Sequence, residues 1–172
     1  MQFVNENTRQ YLSKLFLHEF RNAYIYSYVS SYLATIGLEH FAEFFKIRSH
    51  EEFKHSEWVR EFCEEKNIML DFGSPIEGFD YDLSLQPISY FTQLAYDVEM
   101  DTNRLWDSFF DAVYVEGNSR LLISLAIKFQ DEQNEETKWA TDLMDLAENL
   151  GDDKANWQKF DEKFDPYKYG GK

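Results

Sequence analysis

The chain has 172 residues, enough for one domain with a substantial core, and 44% of them are hydrophobic. The 32 acidic residues outnumber the 17 basic ones, which gives a formal net charge of −15 at pH 7. No basic face is evident, so the composition argues against nucleic acid as a partner, and the acidic surface is either simply solvated or attracts cations by electrostatic steering.

No segment of the sequence indicates export or insertion into a membrane. The first residues lack a basic stretch followed by an apolar run, and no uncharged apolar stretch of about 18 residues exists. Cys63 is the single cysteine, which excludes a disulfide framework and a paired-cysteine metal knuckle. We therefore expect a cytoplasmic protein without a membrane partner.

Glycine and proline are scarce, with 7 and 3 residues, and they divide the chain into long segments of good helix formers. Breaks are expected at Gly37, across the looser stretch from Asn67 to Pro87, at Gly117 and at Gly151. These breaks predict helices over about 6–36, 39–66, 87–116 and 119–149, with a short fifth helix over about 153–164.

The lengths of the connections predict how the helices are arranged. The short breaks at Gly37 and Gly117 each make an antiparallel helix pair. The middle connection, of about 20 residues, can span roughly 60 Å, whereas a helix of about 28 residues is about 42 Å long. The second and third helices can therefore run parallel, joined by one long crossover. The predicted fold is all-α, with one domain over 1–172 and a four-helix bundle at about 6–150.

The inward-facing stripe of each helix is mainly apolar and is interrupted near its middle by polar side chains. Glu19 and Glu99 each lie 18 residues before a glycine break, and Glu52 and Gln133 lie 15 and 16 residues after one. Folding the helices back at those glycines brings the interruptions into one layer with a twofold pattern, Glu with Glu-x-x-His against Glu with Gln-x-x-Glu. The six residues of the layer are Glu19, Glu52, His55, Glu99, Gln133 and Glu136.

A layer of this composition is typical of a site for two metal ions. Four carboxylates buried together repel one another and lose their hydration, at a cost on the order of several kcal/mol each. Two divalent cations would balance the four charges. Carboxylate oxygens with one imidazole suit ferrous iron, with manganese or zinc as less distinctive alternatives. One buried glutamate alone is more often a paired core residue, but six such residues at matching heights favour a metal site.

Several motifs resemble those of the bacterial-type non-haem ferritins, within the ferritin-like diiron family. The segment 49–55 (SHEEFKH) resembles the SHEExxH stretch of that family, and Glu19 with Tyr26 resembles its first-helix Glu and Tyr pair. The segment 131–136 (DEQNEE) resembles the fourth-helix EQxxE pattern. The resemblance covers about residues 6–150 in order and spacing and implies a ferritin-like four-helix bundle.

The resemblance also implies roles for individual side chains. The first iron is held by Glu19, Glu52 and His55, and the second by Glu52, as a bridging ligand, with Glu99, Gln133 and Glu136. A third, weaker iron site is implied at Glu51, Glu132 and Glu135, with an ordinary acidic helix flank as the alternative. Tyr26 is implied beside the centre, where it bonds a ligand or supplies an electron, or else is a plain core residue.

The chain departs from the patterns of some related proteins. Phe53 stands where bacterioferritins have a haem-ligating methionine, so no haem is expected. Lys128 replaces a tryptophan of some ferritins, and Ile123 and Ala126 stand at the acidic threefold-channel positions of animal ferritins. The sequence therefore does not predict the route by which iron enters. Residues 153–164 form either a pore-lining fifth helix or an amphipathic surface helix.

The function that the resemblance implies is iron storage and iron homeostasis with ferroxidase activity. Two ferrous ions bind in the bundle and are oxidised by dioxygen or peroxide, and ferric mineral is stored in a homo-oligomeric cage of about twenty-four copies. Two other classes stay open. One is a diiron or dimanganese oxygenase or oxidase that acts on another substrate, and the other is a structural helical-bundle cage protein with an inert centre.

Overall fold

The computed structural model describes residues 4–73, 82–115 and 120–168, and within these ranges the chain is all-α, without a strand. The helices are α1 (Glu6–Thr35), α2 (Glu39–Glu65), α3 (Ile88–Val115), α4 (Arg120–Leu150) and α5 (Lys154–Asp161), and a single 3-10 turn (Leu83–Leu85) precedes α3. The predicted helical bundle with a short C-terminal fifth helix is confirmed. Each long helix begins and ends within one residue of its predicted bounds, and α5 ends three residues early.

The turn between α1 and α2 is a helix C-terminal motif built on Gly37. This glycine has a φ of +81°, in the left-handed region that residues with a Cβ rarely adopt. The N–H of Leu38 donates to the carbonyl of Leu33 at 3.1 Å, and the N–H of Gly37 donates to the carbonyl of Ala34 at 3.2 Å. Leu33 and Leu38 are buried in the same apolar cluster, as is usual for this Schellman motif. The motif ends α1 and folds α2 back along it.

Contacts across the bundle show the direction of each helix. His18 on α1 bonds Thr102 on α3 at 2.9 Å, and Tyr26, two turns further along α1, contacts the carbonyl of Ala95 at 3.5 Å. Because rising numbers in α1 meet falling numbers in α3, these helices are antiparallel. Since α1 is also antiparallel to α2, α2 and α3 run parallel, as the predicted crossover requires. Residues 74–81 of the crossover and the predicted break at Gly117 lie outside the described residues.

Two apolar clusters fill the bundle, one on each side of a polar layer. The cluster nearer the α1–α2 turn includes Val29, Leu33, Phe41, Phe91 and Leu143, and the other includes Leu12, Phe16, Val59, Phe109 and Leu122. Fully burying one such side chain contributes roughly 1.5–3 kcal/mol. The two clusters therefore fix the four helices relative to one another both above and below the polar layer between them.

The short helix α5 packs against one end of its own bundle. Trp157 is fully buried, and its ring stacks on that of Phe41 with the centroids 5.5 Å apart. The Asp161 carboxylate accepts the backbone N–H of Phe41 at 2.7 Å and that of His40 at 3.2 Å. These donors lie in the first turn of α2, where the N-cap residue Leu38 forms no side-chain bond. The tail therefore caps α2 of the same chain, and a pore-lining role stays a prediction.

Candidate metal centre

The six residues predicted from the helix stripes all lie in the polar layer, and none is more than 6% exposed. In two groups of side chains, each residue offers one metal-ligating atom, and these atoms lie within 4.8 Å of one another. One group is Glu19, Glu52 and His55, and the other is Glu52, Glu99 and Glu136. Because Glu52 belongs to both groups, the layer forms two adjacent candidate sites that share one carboxylate.

Helix geometry explains how these side chains meet. Glu52 and His55 are three residues apart on α2 and so lie on one face of that helix. The His55 Nδ1 atom is 3.6 Å from Oε1 of Glu136 on α4, and 3.9 Å from both Oε2 of Glu19 on α1 and Oε1 of Glu52. The imidazole is thus surrounded by carboxylate oxygens from three helices.

Two aromatic donors hold the glutamates of α1 and α3 in a symmetric pattern. Tyr26 lies seven residues after Glu19 on α1, and its hydroxyl group donates a hydrogen bond to Glu99 on α3. Trp106, seven residues after Glu99, donates its Nε1–H to Oε1 of Glu19 at 2.7 Å. The twofold pattern predicted from the carboxylates therefore extends to the groups that orient them. Tyr26 was predicted beside the centre from the sequence, whereas no role was predicted for Trp106.

Two amides orient the remaining carboxylates. The Gln133 Nε2 atom donates to Oε2 of Glu99 at 2.8 Å, which leaves its amide oxygen as the candidate ligand atom. Asn22 Nδ2 lies 3.2 Å from Oε2 of Glu52 and 2.9 Å from Oγ1 of Thr102, and it donates to both. Asn22 was not predicted as a site residue. Its position three residues after Glu19, on the same helix face, is the signal that could have identified it.

Burial dominates the electrostatics of the layer. It raises the pKa of Glu19 to about 7 and that of Glu99 to about 8. Burial, together with the neighbouring carboxylates, raises the pKa of Glu52 and of Glu136 well above the usual range. Burial also lowers the pKa of His55 to about 4, so its imidazole is neutral at pH 7. Without a metal the layer retains protons, and a cation that binds there releases them.

The three residues implied as a third iron site line one cavity of about 140 Å³ between α2 and α4, beside His55. They are Glu51, Glu132 and Glu135. The Arg48 Nη1 atom lies 2.7 Å from Oε2 of Glu51 in the same cavity. Among the described residues, neither group with clustered ligand atoms includes any of the three. The structure thus brings these acids to one cavity without drawing their oxygens together.

The four residues that differ from the patterns of related ferritins all pack against neighbouring side chains. Phe53 is 48% exposed on α2, with its ring centroid 5.9 Å from that of Phe20. The Lys128 Nζ atom lies 3.3 Å from the ring centroid of Trp58, whose ring in turn lies against His55. Ala126 belongs to the apolar cluster that contains Leu12, and Ile123 packs against that cluster.

The set of candidate ligands fits two divalent cations of intermediate hardness. It offers four carboxylates, one amide and one neutral imidazole, which is the donor chemistry that ferrous iron, manganese and zinc accept. The single cysteine, Cys63, lies in an apolar cluster away from the layer, and burial raises the pKa of its thiol to about 12. Two cations bound by these groups would share Glu52 and so would lie next to each other in the buried layer.

The whole architecture is similar to that of archaeal ferritins. The structure of an open-pore ferritin from the hyperthermophilic archaeon Archaeoglobus fulgidus matches with a TM-score of 0.84 and 20% identity, covering 95% of this chain and 97% of that one. An engineered closed form of the same ferritin matches at 0.81 and 20%, covering 93% and 95%. A humanized archaeal ferritin matches at 0.82 and 20%, covering 93% and 96%. No family model and no curated protein matches this sequence.

These similarities show a shared architecture only, because at 20% identity most positions carry different residues. None of the described helices combines the length and the apolar character needed to cross a membrane. The agreement extends over 95% of this chain and 97% of the archaeal one. The chain therefore has the fold of the ferritins.

Proposed function

We propose that the protein is an iron storage protein with ferroxidase activity, of the bacterial-type non-haem kind. The observation that carries the proposal is the pair of buried groups that share Glu52, each with its ligand atoms within 4.8 Å of one another. Iron is the substrate at this centre. Glu19, Glu52 and His55 bind one ferrous ion, and Glu52, Glu99, Gln133 and Glu136 bind the other.

The reaction transfers one electron from each of the two ferrous ions to an oxidant bound between them. Dioxygen that accepts both electrons and two protons leaves as hydrogen peroxide. Hydrogen peroxide that accepts two electrons and two protons leaves as two water molecules. Glu52 keeps the two ions adjacent, while Tyr26 holds Glu99 in place and is a candidate for an additional electron donor. Gln133 is a weaker ligand than a carboxylate and so favours the departure of ferric product.

Rapid mixing of ferrous-loaded protein with oxygen tests the proposal. Metal-free protein is given two ferrous ions per subunit without oxygen and is then mixed with oxygenated buffer, and ferric absorbance and oxygen uptake are recorded. We expect oxidation much faster than in buffer alone, and we expect Glu52→Ala to abolish the fast phase. Glu65→Ala, which removes an exposed carboxylate from the same helix, is the matched control. An equal rate in protein and in buffer would exclude ferroxidase activity.

Storage requires a hollow cage. We propose that this cage is built from about twenty-four copies of the chain and lies in the cytoplasm. Twenty-four subunits of 20.6 kDa make a particle of about 494 kDa, which light scattering after size exclusion measures directly. The net charge of −15 per chain favours cation uptake by such a particle. A monomer or dimer at working concentration would contradict storage while leaving the oxidation proposal intact.

A second candidate function, oxidation of an organic substrate by a diiron or dimanganese centre, is favoured by a separate cavity. It has a volume of about 420 Å³, lies between α1 and α3, and is lined by His18, Tyr90 and Asn22. The Asn22 amide also bonds Glu52, so a molecule in this cavity would lie one side chain away from the centre. Metal-loaded protein that oxidises a bound organic molecule and forms no mineral would support this alternative. Purified protein without bound metal would support an inert structural role.

A further inference from the structure

A buried arginine stands beside the candidate metal centre. Arg48 lies on α2 one turn before Glu52, and it is 2% exposed. The centre of its guanidinium is 5.3 Å from the ring centroid of Phe44 and 5.7 Å from that of Trp139. Its Nη1 atom is 2.7 Å from Oε2 of Glu51. The aromatic rings and the ion pair together fix a permanent positive charge at one position in the bundle.

That charge lies in the cavity to which the ferritin resemblance assigned a third iron. The cavity is lined by the acids Glu51, Glu132 and Glu135, and also by Arg48 and Lys54. Arg48 pairs with Glu51, and Lys54 lines the same cavity. Two cations of the protein itself thus offset two of the three negative charges of the cluster.

An arginine competes with a metal ion at such a position for two reasons. It uses the Glu51 oxygen as its partner, so a metal must break a buried ion pair before it can bind that atom. It also repels the metal, because a guanidinium group carries a fixed positive charge in proteins. Even in water, a divalent ion about 4 Å from a unit positive charge is disfavoured by a factor of about thirty.

We propose that Arg48 occupies the position of a third cation and limits each subunit to two iron ions. The inference rests on the proposed two-iron centre, which it deepens by assigning the number of ions to one residue. Arg48 determines how many ions bind, because it pairs with Glu51, which belongs to neither of the two ligand groups that share Glu52. The acidic cluster of Glu51, Glu132 and Glu135 then binds no iron in the native chain.

Anaerobic titration of metal-free protein with ferrous iron, followed by calorimetry and by equilibrium dialysis with metal analysis, tests this assignment. The native chain is expected to bind two ions per subunit. Arg48→Gln should bind a third, at least about thirtyfold more tightly than the native chain does. Arg48→Lys, which keeps a positive charge, should remain at two, and Arg48→Gln combined with Glu51→Gln should return to two.

Three outcomes would overturn the proposal. They are a native chain that binds three ions and loses one on Glu51→Gln, an Arg48→Gln variant that stays at two, and a double variant that keeps the third ion. If Arg48→Gln does not fold, as judged by circular dichroism, Glu135→Gln in the native background decides instead. Its stoichiometry should be unchanged, and a lost ion would refute the role of Arg48. A native chain that binds fewer than two ions counts against the two-iron centre, whereas the difference between native chain and variant tests Arg48.

Discussion

Replacing Glu19 with glutamine should make the metal-free protein more stable above neutral pH. Glu19 is 1% exposed, and burial raises its pKa to about 7. At pH 8 the native chain must therefore keep a charged carboxylate in a dry layer beside other carboxylates. Glutamine has the same shape without the charge, and its amide oxygen can still accept the hydrogen bond that Trp106 donates to Oε1 of Glu19 at 2.7 Å.

The sign and size of the effect follow from the raised pKa. A carboxyl group whose folded pKa lies above its unfolded value favours folding most below the unfolded pKa of 4.5, and this stability is lost as the pH rises through the folded value of about 7. The two pKa values differ by about 2.5, which at about 1.4 kcal/mol for each unit gives about 3.5 kcal/mol, and about 3 kcal/mol of this falls between pH 4 and pH 8. Relative to the native chain, Glu19→Gln should gain about 3 kcal/mol of unfolding free energy between pH 4 and pH 8.

The assay is urea unfolding of chelator-treated protein, followed by far-ultraviolet circular dichroism at several pH values between 4 and 8.5. The control is Glu148→Gln, which removes an exposed carboxylate from α4 and should show no comparable dependence on pH. A difference between Glu19→Gln and the native chain that stays constant with pH would refute the reasoning. Divalent metal should then stabilise the native chain more than the variant, because Glu19 is a candidate ligand.

Three further results are expected from the same geometry. Asp161→Ala should lower the unfolding free energy by about 1–2 kcal/mol in urea titrations, because it removes the acceptor for the first-turn N–H groups of α2; an unchanged midpoint would contradict the capping role. Trp106→Phe should weaken metal binding about 10- to 100-fold in anaerobic calorimetry, because Glu19 loses its donor; native affinity would mean that Trp106 only packs. Metal added at pH 7 should release protons into a weakly buffered indicator solution, because the raised pKa values of Glu19 and Glu99 keep the empty layer partly protonated; binding without proton release would contradict those values.

Most of the fold could be predicted from periodicity and from breaker residues. Gly37 marks a turn that requires a left-handed backbone, and the two halves of the bundle each carry a long apolar stripe. The shared height of the polar interruptions could be counted along each helix from its glycine, which placed Glu52 opposite Glu19 before any contact was known. These features depend on local sequence, and local sequence determines helix length and face.

Other features depend on contacts between distant segments and were not predicted. Asn22 and Trp106 donate hydrogen bonds to site carboxylates on other helices. The pattern of inward-facing residues along one helix does not predict which residue of a neighbouring helix a side chain will contact. The guanidinium of Arg48 packs against Trp139 of α4, a contact that the sequence of α2 alone does not predict. The docking of α5 depends on Asp161, which is 120 residues away from its partner Phe41 along the chain.

The most direct test of the central claim is a crystal structure of the protein soaked anaerobically with ferrous iron, with data collected on both sides of the iron absorption edge. The account predicts two anomalous peaks in the polar layer, one among Glu19, Glu52 and His55 and the other among Glu52, Glu99 and Glu136, with Glu52 between them. A layer without peaks, or iron found only at surface carboxylates, would contradict it.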